Sequence, residues 1–474
     1  LFTAEVQGGT FDDTGAITPN GASPIKDKTD TWGYAKITAV ASSTSATADV
    51  KTDFGKTGAS KFYREGAWST ARGFPGADSF MEDRLVWGGS VDRPQNLWGS
   101  KSGSYEDHTP GILDDDAFDF QLASGQVDVI RWIRPSNFML VGTVGGEWRT
   151  GAANPDDPIT PSNFNAKSET SFGSSTVPPM RLGAVTLFVQ RAGRKIRELT
   201  FTLETNAFVA PDLTLLAEHL FGTSKTITDL AYQKEPDPNL WVIRSDGELC
   251  GMTYDRTQDV VGWHEQVTGP LQDFTDGKFE SVAVIPHTDG DRDQVWVSVQ
   301  RLVNGVTKRF VEFFETVGVF YSYQYVDSGL TYDGTVNIAL TAGAKTGTDI
   351  LFTSTAAFVA ADVGKEIRQL GTGTGRATIK TFVDANSVRG DVENAFSTVD
   401  VAAKKWGLAV FKVGGLSHLD GASVRVVGDG AVYNDATVAG SIVTLVPAIA
   451  ATKIEVGLDY PSTLETLRPE PAVV

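Results

Sequence analysis

The chain of 474 residues is 41% hydrophobic and 21% charged, which excludes a disordered polymer and allows roughly two to four domains. Its formal net charge of −18 argues against general affinity for nucleic acid through phosphate contacts; composition alone favours surplus acid that keeps the surface soluble, beside an acidic wall that would let a duplex slide without sticking. No apolar run approaches ~18 residues, so no membrane span is expected, and a single cysteine, Cys250, excludes an intrachain disulfide.

The 49 glycines and 20 prolines, with abundant Thr, Ser and Val, favour short strands joined by turns. Residues 1–30 are turn-dominated (Gly8-Gly9, Asp12-Asp13, Pro19-Asn20-Gly21) and lack a secretory signal pattern. An opening on Leu1 suggests processing or further residues upstream. From Gly33 the text becomes GYAKITAVASSTSATADVKTDF, whose alternation at Ala35, Ile37 and Ala39, then Ala46, Ala48 and Val50, predicts a hairpin turning at Ser42-Ser43-Thr44. At a constant offset of 342 this text meets GRATIKTFVDANSVRGDVENAF, with seven identities in 22 positions. Gly33, Ala35, Ile37, Ser45, Asp49, Val50 and Phe54 find Gly375, Ala377, Ile379, Ser387, Asp391, Val392 and Phe396. Two copies of one small β module are therefore expected. The second has a fuller preamble, in which Phe358 and Asp362-Val363-Gly364 mark a short turn feeding a strand.

Between the copies, apolar strand-like runs centre near Val86, Leu140, Leu187, Trp241 and Val297, at spacings of 54, 47, 54 and 56. A period of roughly 50 residues with several short strands per unit matches β-propeller blades better than a helical solenoid. Ala192-Gly193, Ser245-Asp246-Gly247 and Asn304-Gly305 are turn signals within the units. Each unit alone would leave an apolar face uncovered, which a neighbour covers. The longest helical candidate, Leu213 to Phe221, is short enough to be an insertion. From about Phe411, strand-sized alternations at Ser423–Val427, Ala431–Tyr433, Ile442–Val446 and Lys453–Val456 predict a compact β-barrel or sandwich, followed by an extended, Pro-rich end. The expected protein is all-β: a turn-rich lead-in and first small module (1–60), a β-propeller-like domain (61–335), the second small module (336–410), and a small barrel or sandwich with its tail (411–474).

Candidate chemistry is sparse. Asp114-Asp115-Asp116 is the sharpest acidic cluster, but three consecutive carboxylates cannot all face one site from a strand, which favours a solvated loop. His287, Asp289, Asp291 and Asp293 alternate as in a calcium loop yet lack a distal bidentate Glu, which favours a hairpin loop. The five histidines (His108, His219, His264, His287, His418) show no zinc spacing. Cys250 has no nucleophile pattern around it and reads as a buried small apolar residue. Gly371, Gly373 and Gly375 precede a strand and read as a turn. Arg191, Arg194, Lys195 and Arg197 form a basic cluster able to meet phosphate or an acidic neighbour. Trp87, Trp98, Trp241 and Trp296 repeat with the strand text and read as blade core. No catalytic, cofactor-binding or metal-binding residue is assigned, and no cofactor is expected.

The stretch FYREGAWSTARGFPGADSFMEDRLVWGGSVDRPQNLWGSKSGSYEDH (62–108) resembles the tail nozzle proteins, also called tail tubular protein B, of short-tailed double-stranded DNA bacteriophages. GWHEQVT, FESVAVIP, DQVWVSVQR and KRFVEFFE (262–315) are similar to the same family, as are GLSHLDGASVRVVGDGAV and VGLDYPSTLETLRPE. The resemblance covers about 62–130 and 227–474, and 131–226 more loosely. Both copies of the 22-residue module resemble a small β insert of these proteins, similar to one catalogued in ubiquitin-activating enzymes. No ubiquitin chemistry follows, since no adenylation motif or catalytic cysteine accompanies it.

The resemblance implies a non-enzymatic virion protein of the viral tail. Copies, about six, would form a ring by head-to-tail contacts that close by rotation. That hexamer would sit below the portal and a tail tubular protein A-like adaptor, beside tail fibres or spikes, retaining the genome and passing it during DNA ejection into the host. Genomic DNA would traverse the channel without specific binding, and the chain would continue at both ends. Two other readings stand beside it: a propeller that binds a host receptor or glycan through exposed Trp and Asp, and a polysaccharide-degrading enzyme using Asp114–Asp116 or Asp289–Asp293 as acids.

Overall fold

Hydrophobic period, not helix propensity, organises the chain, and nearly every regular element is a strand. The computed structural model describes residues 2–6, 9–11, 17–19, 31–52, 63–70, 72–136, 138–154, 157–204, 206–258, 260–269, 277–315 and 326–460. Phe54, the turn signals at Asp12-Asp13 and Asn20-Gly21, and the extended end from Pro461 lie outside the described residues. The chain divides into two compact units, Leu1–Ile227 and Thr228–Val474.

Three consecutive four-stranded antiparallel meanders occupy most of the first unit. Blade 1 comprises Ala77–Met81, Arg84–Gly88, Asn96–Gly99 and Phe118–Gln121. Blade 2 comprises Ile130–Pro135, Met139–Thr143, Glu147–Ala152 and Phe164–Thr170. Blade 3 comprises Met180–Leu182, Val185–Val189, Ile196–Thr202 and Ala207–Val209. The second unit opens with blade 4, built of Ile227–Gln233, Asn239–Arg244, Leu249–Asp255 and Val260–Gln266. A three-stranded sheet follows (Gly277–Pro286, Asp293–Val303, Val306–Phe313). Val86, Leu140, Leu187, Trp241 and Val297 each fall on the second strand of their sheet, so the sequence period marks structurally equivalent strands.

Blade packing follows from the two-residue alternation of a strand. In blade 2, Met139 and Val141 join Val86, Leu97 and Phe118 of blade 1, whereas Leu140 and Trp132 join Phe188 and Leu199 of blade 3. One strand thus serves two interfaces, which explains why all of Met139–Thr143 and Val185–Val189 is buried instead of alternating with polar residues. Burying side chains of this size contributes about 1.5–3 kcal/mol each. Blade 4 repeats the device, with Trp241, Ile243 and Leu249 packing on Phe279, Val282, Val295 and Val297. The region is β-propeller-like, and near 213–221 the helical content is a short 3-10 stretch, Leu215–Leu220, broken by a kink at Ala217.

The internal repeat is also visible in strand pairing. Thr31–Ser42 pairs with Ser45–Thr52, and Arg376–Asp384 pairs with Ser387–Asn394. The pairs Ala35↔Val50, Ile37↔Ala48 and Ser42↔Ser45 become Ala377↔Val392, Ile379↔Gly390 and Asp384↔Ser387 under the 342-residue offset. All three register irregularities coincide as well: those after Tyr34, Ile37 and Val40 match those after Arg376, Ile379 and Phe382. Bulges at matching positions are specific features of a hairpin, so this agreement is far stronger than the sequence identities alone.

The second copy belongs to a seven-stranded sheet curled around Phe352, Phe358, Ile367, Ile379 and Trp406. This module is inserted into another sheet: Asp327–Asp333, before it in the chain, pairs with Lys453–Leu458, after it. Ser423–Gly428 pairs with the other side of Lys453–Leu458, and Val424, Val426, Leu445, Ile454 and Val456 form the core of this last domain.

Candidate functional site

The acidic run 114–116 is a loop, and its main role is played by carbonyls. Arg84 is buried in blade 1, with its Nη1 donating to Ser100 O at 2.7 Å and Asp116 O at 2.6 Å, and its Nη2 to Asp114 O at 2.6 Å. Burial pushes the guanidinium down from its usual range, and Asp115, Glu82 and Asp116 oppose that shift. The side chains of Asp115 and Asp116 point elsewhere, toward Lys101 at 3.4 and 3.5 Å. The run wraps a buried cation and presents no convergent acid pair.

His287, Asp289 and Asp291 are brought together in the loop between Gly277–Pro286 and Asp293–Val303, the one metal-competent group of three or more among the described residues. His287 Nδ1 accepts from the Asp289 N–H at 3.2 Å and lies 4.0 Å from Asp291 Oδ1. Arg292 already supplies the positive charge: its Nη2 sits 3.1 Å from His287 Nε2 and its Nη1 pairs with Asp291 at 2.9 Å. Asp293 is not part of the group. Its Oδ2 accepts from the Lys234 N–H at 2.7 Å and the Glu235 N–H at 3.2 Å, tying the loop to blade 4.

The basic cluster meets acid and backbone. Lys195 pairs with Asp212 at 2.7 Å and Glu218 at 3.5 Å. Arg197 donates to Gln190 Oε1 and Ala210 O and lies 3.6 Å over the Phe172 ring. Cys250 is buried, 3.8 Å from Arg244 Nη1, and burial pushes its thiol up to about 11. The other histidines are dispersed: His108 packs on Trp68, His264 on Trp241 and His418 on Phe310, while His219 lies on the 3-10 turn. Burial lowers the imidazoles of His108 and His264 below their ordinary range. Gly371 stands at φ +83° in the predicted turn before Arg376–Asp384.

The tryptophans divide. Trp98 and Trp241 are core, as expected, whereas Trp87 and Trp296 are only half-buried. The reason is alternation: Val86 and Val295 take the inward positions beside them. Trp87 instead pairs with Trp98 across the strands, and Trp68 meets both edge-on at 5.7 and 5.6 Å.

Sequence reading missed two buried carboxylates of blade 2. Glu147 is fully buried, accepting from the Thr170 and Ser174 hydroxyls, and burial raises its carboxyl above the usual range. Asp128, also buried, accepts from Ser124 Oγ at 2.6 Å and Gln126 Nε2 at 3.2 Å. A lone Glu in GGEW and a lone Asp in QVDV carry no motif, so only the fold singles them out.

No protein-family model and no curated protein matches the chain. Solved structures of low similarity include a luciferin-regenerating enzyme (8% identity, 70% of this chain and 96% of that one, TM-score 0.28). A protein from Lactobacillus plantarum (7%, 86% and 97%, TM-score 0.33) and the tail fibre of Staphylococcus aureus phage P68 (10%, 68% and 74%, TM-score 0.18) are others. Similarity at this level carries no argument about function. Among the described residues, no helix is long and apolar enough to cross a membrane.

Proposed function

We propose that this chain is a non-enzymatic structural protein of a short-tailed phage tail, the nozzle ring below the portal and adaptor. In the virion it retains the genome and then passes it into the host, with DNA moving through the bore without specific contacts. The observation that carries this reading is the continuous resemblance at 62–108, whose residues do scaffold work in blade 1: Arg84 gathers four carbonyls, Trp87 and Trp98 pair across strands, and Gly89 stands at φ +59°, where a Cβ would lie 2.9 Å from Pro94 O. A propeller-like body bearing two copies of one small module suits a part whose job is mechanical. The acidic balance suits a passage that must not hold phosphate.

The test is particle imaging of the purified full chain, alone and mixed with its portal-side adaptor. A closed ring of about six copies around an axial channel is expected. A chain that stays monomeric with the adaptor present overturns the reading.

A further inference from the structure

A polar cleft of about 330 Å³ opens between the loop 124–128 and the far edge of blade 2, lined by Ser124, Gln126, Asp128, Trp148, Ser168 and Thr170. Its volume lies at the lower end of small-ligand sites. From its geometry we propose that it binds a neutral saccharide, one pyranose unit of a larger glycan.

Three features of the backbone build the cleft. A bulge between Glu147–Ala152 and Phe164–Thr170 sets Glu147 opposite Thr170 and Trp148 opposite Ser168, leaving Glu169 as the extra residue. This makes Ser168 the cross-strand neighbour of Trp148, while the Thr170 hydroxyl donates to Glu147. The Gly145-Gly146 turn forms one wall and must stay bare. A Cβ on Gly145 would lie 2.1 Å from Asp128 Oδ1, and one on Gly146 would lie 2.3 Å from Thr170 O. Finally, Gln95 Nε2 donates to Gln126 O at 2.8 Å, fixing the loop that carries Gln126 and Asp128.

The lining chemistry selects the ligand. The Ser124, Ser168 and Thr170 hydroxyls, the Gln126 carbonyl and the Asp128 carboxylate keep free lone pairs that can accept from sugar hydroxyls, while Trp148, 7% exposed, is taken up by packing against the blade 1 core. An anion is disfavoured by the buried Asp128 carboxylate and by the buried Glu147 behind it. A metal ion would find one lining carboxylate, whose two oxygens already accept from Ser124 and Gln126. A wholly apolar ligand would leave the remaining lone pairs of Asp128, Ser124 and the Gln126 carbonyl without donors from the ligand. Every residue lining the cleft comes from a single copy of the chain, so the cleft needs no ring to be complete.

The test is saturation-transfer NMR on the full chain with the methyl glycosides of glucose, galactose, mannose and N-acetylglucosamine. At least one should bind, with a dissociation constant on the order of millimolar, as suits a ligand of about a dozen heavy atoms. Ser168→Tyr fills the cleft from an exposed strand position that tolerates an aromatic, and Gln126→Ala removes the amide from an exposed loop. Each should weaken binding about tenfold or more, by the loss of a shape fit or of a hydrogen bond to an acceptor-rich ligand. Asp289→Asn, in a loop of the second unit that does not line the cleft, should leave it unchanged. Absence of transfer to all four glycosides overturns the proposal, and so does a signal that Ser168→Tyr leaves intact. The outcome does not depend on whether the chain assembles into rings.

Discussion

Replacing Arg84 tests whether the acidic run is held by the buried cation. Arg84→Met keeps the length of the stem and removes all four charge-assisted bonds, the short ones to Ser100, Asp114 and Asp116 and the long one to Asp115 O at 3.4 Å. The Ser100 carbonyl sits on a fully buried residue, so its loss of a partner costs about 1–3 kcal/mol. Asp114 is exposed and Asp116 half-buried, so water replaces the guanidinium there and each bond lost costs about 0.5–1.5 kcal/mol. Removing a desolvated charge returns part of this, leaving a net loss of about 3 kcal/mol. For a unit of this size that is a fall of about 6–12 °C in its melting transition. Arg84→Lys, a point charge without the planar fork, should recover less than half. Calorimetry of the full chain reads the transition, and hydrogen exchange reads the Ser102 amide, which donates to Asp115 O at 2.9 Å. A Met variant that melts with the wild type, with the Ser102 amide still protected, refutes the reasoning.

Two further outcomes follow from the charged groups. Glu147 is raised above the ordinary carboxyl value of 4.5, chiefly by burial, so the stability it contributes is full below that value and is lost as pH rises through the folded value. Glu147→Gln, able to keep partners in Thr170 and Ser174, should flatten the loss of stability in that window; a pH–stability profile superimposable on the wild type would contradict it. With a net charge of −18, the chain should bind a labelled DNA duplex at 50 mM salt no more tightly than about 10⁻⁴ M, the weak limit of non-specific association. Micromolar binding with a steep salt dependence in a fluorescence-anisotropy titration would rule out a repelling passage.

What was legible in the sequence was whatever depended on period and on turn chemistry. Asn304-Gly305 adopts φ of +50° and +73°, the left-handed pair that a two-residue hairpin requires, and it was readable because Asn and Gly favour that geometry. The first strand of blade 1, Ala77–Met81, was missed for the opposite reason. Its turn, Glu82-Asp83, stands at φ +48° and +58° without Gly or Asn, and distant contacts secure it: Tyr105 donates to Asp83 at 2.8 Å and the Ile159 N–H to Glu82 at 2.6 Å. Likewise, the strand Asp327–Asp333 gives no hint that its partner lies some 120 residues later, beyond an inserted module. Asp128 and Glu147 were silent because burial, not spacing, makes them unusual.

A common device underlies the irregular parts of this fold. Loops within and after the sheets carry backbone carbonyls that no strand pairs, and each such group buried without a donor is costly. Arg84 answers this in blade 1, and Arg301 answers it in the second unit. Arg301 donates to Gly269 O and to Thr268 Oγ1 at 2.6 Å, while Glu312 takes its other face at 2.9 and 2.6 Å. Arg244 is the variant that uses side chains in place of carbonyls, joining Asp246, Glu248 at 2.8 Å, Glu265 at 2.8 Å and the Cys250 sulfur at 3.8 Å. A fork of five donors can bind several fixed acceptors at once, which an ammonium cannot do. Such buried arrangements fix geometry more than they add stability. They also take arginines away from the surface, so the solvent-facing cations available to grip a phosphate backbone are fewer than the composition suggests.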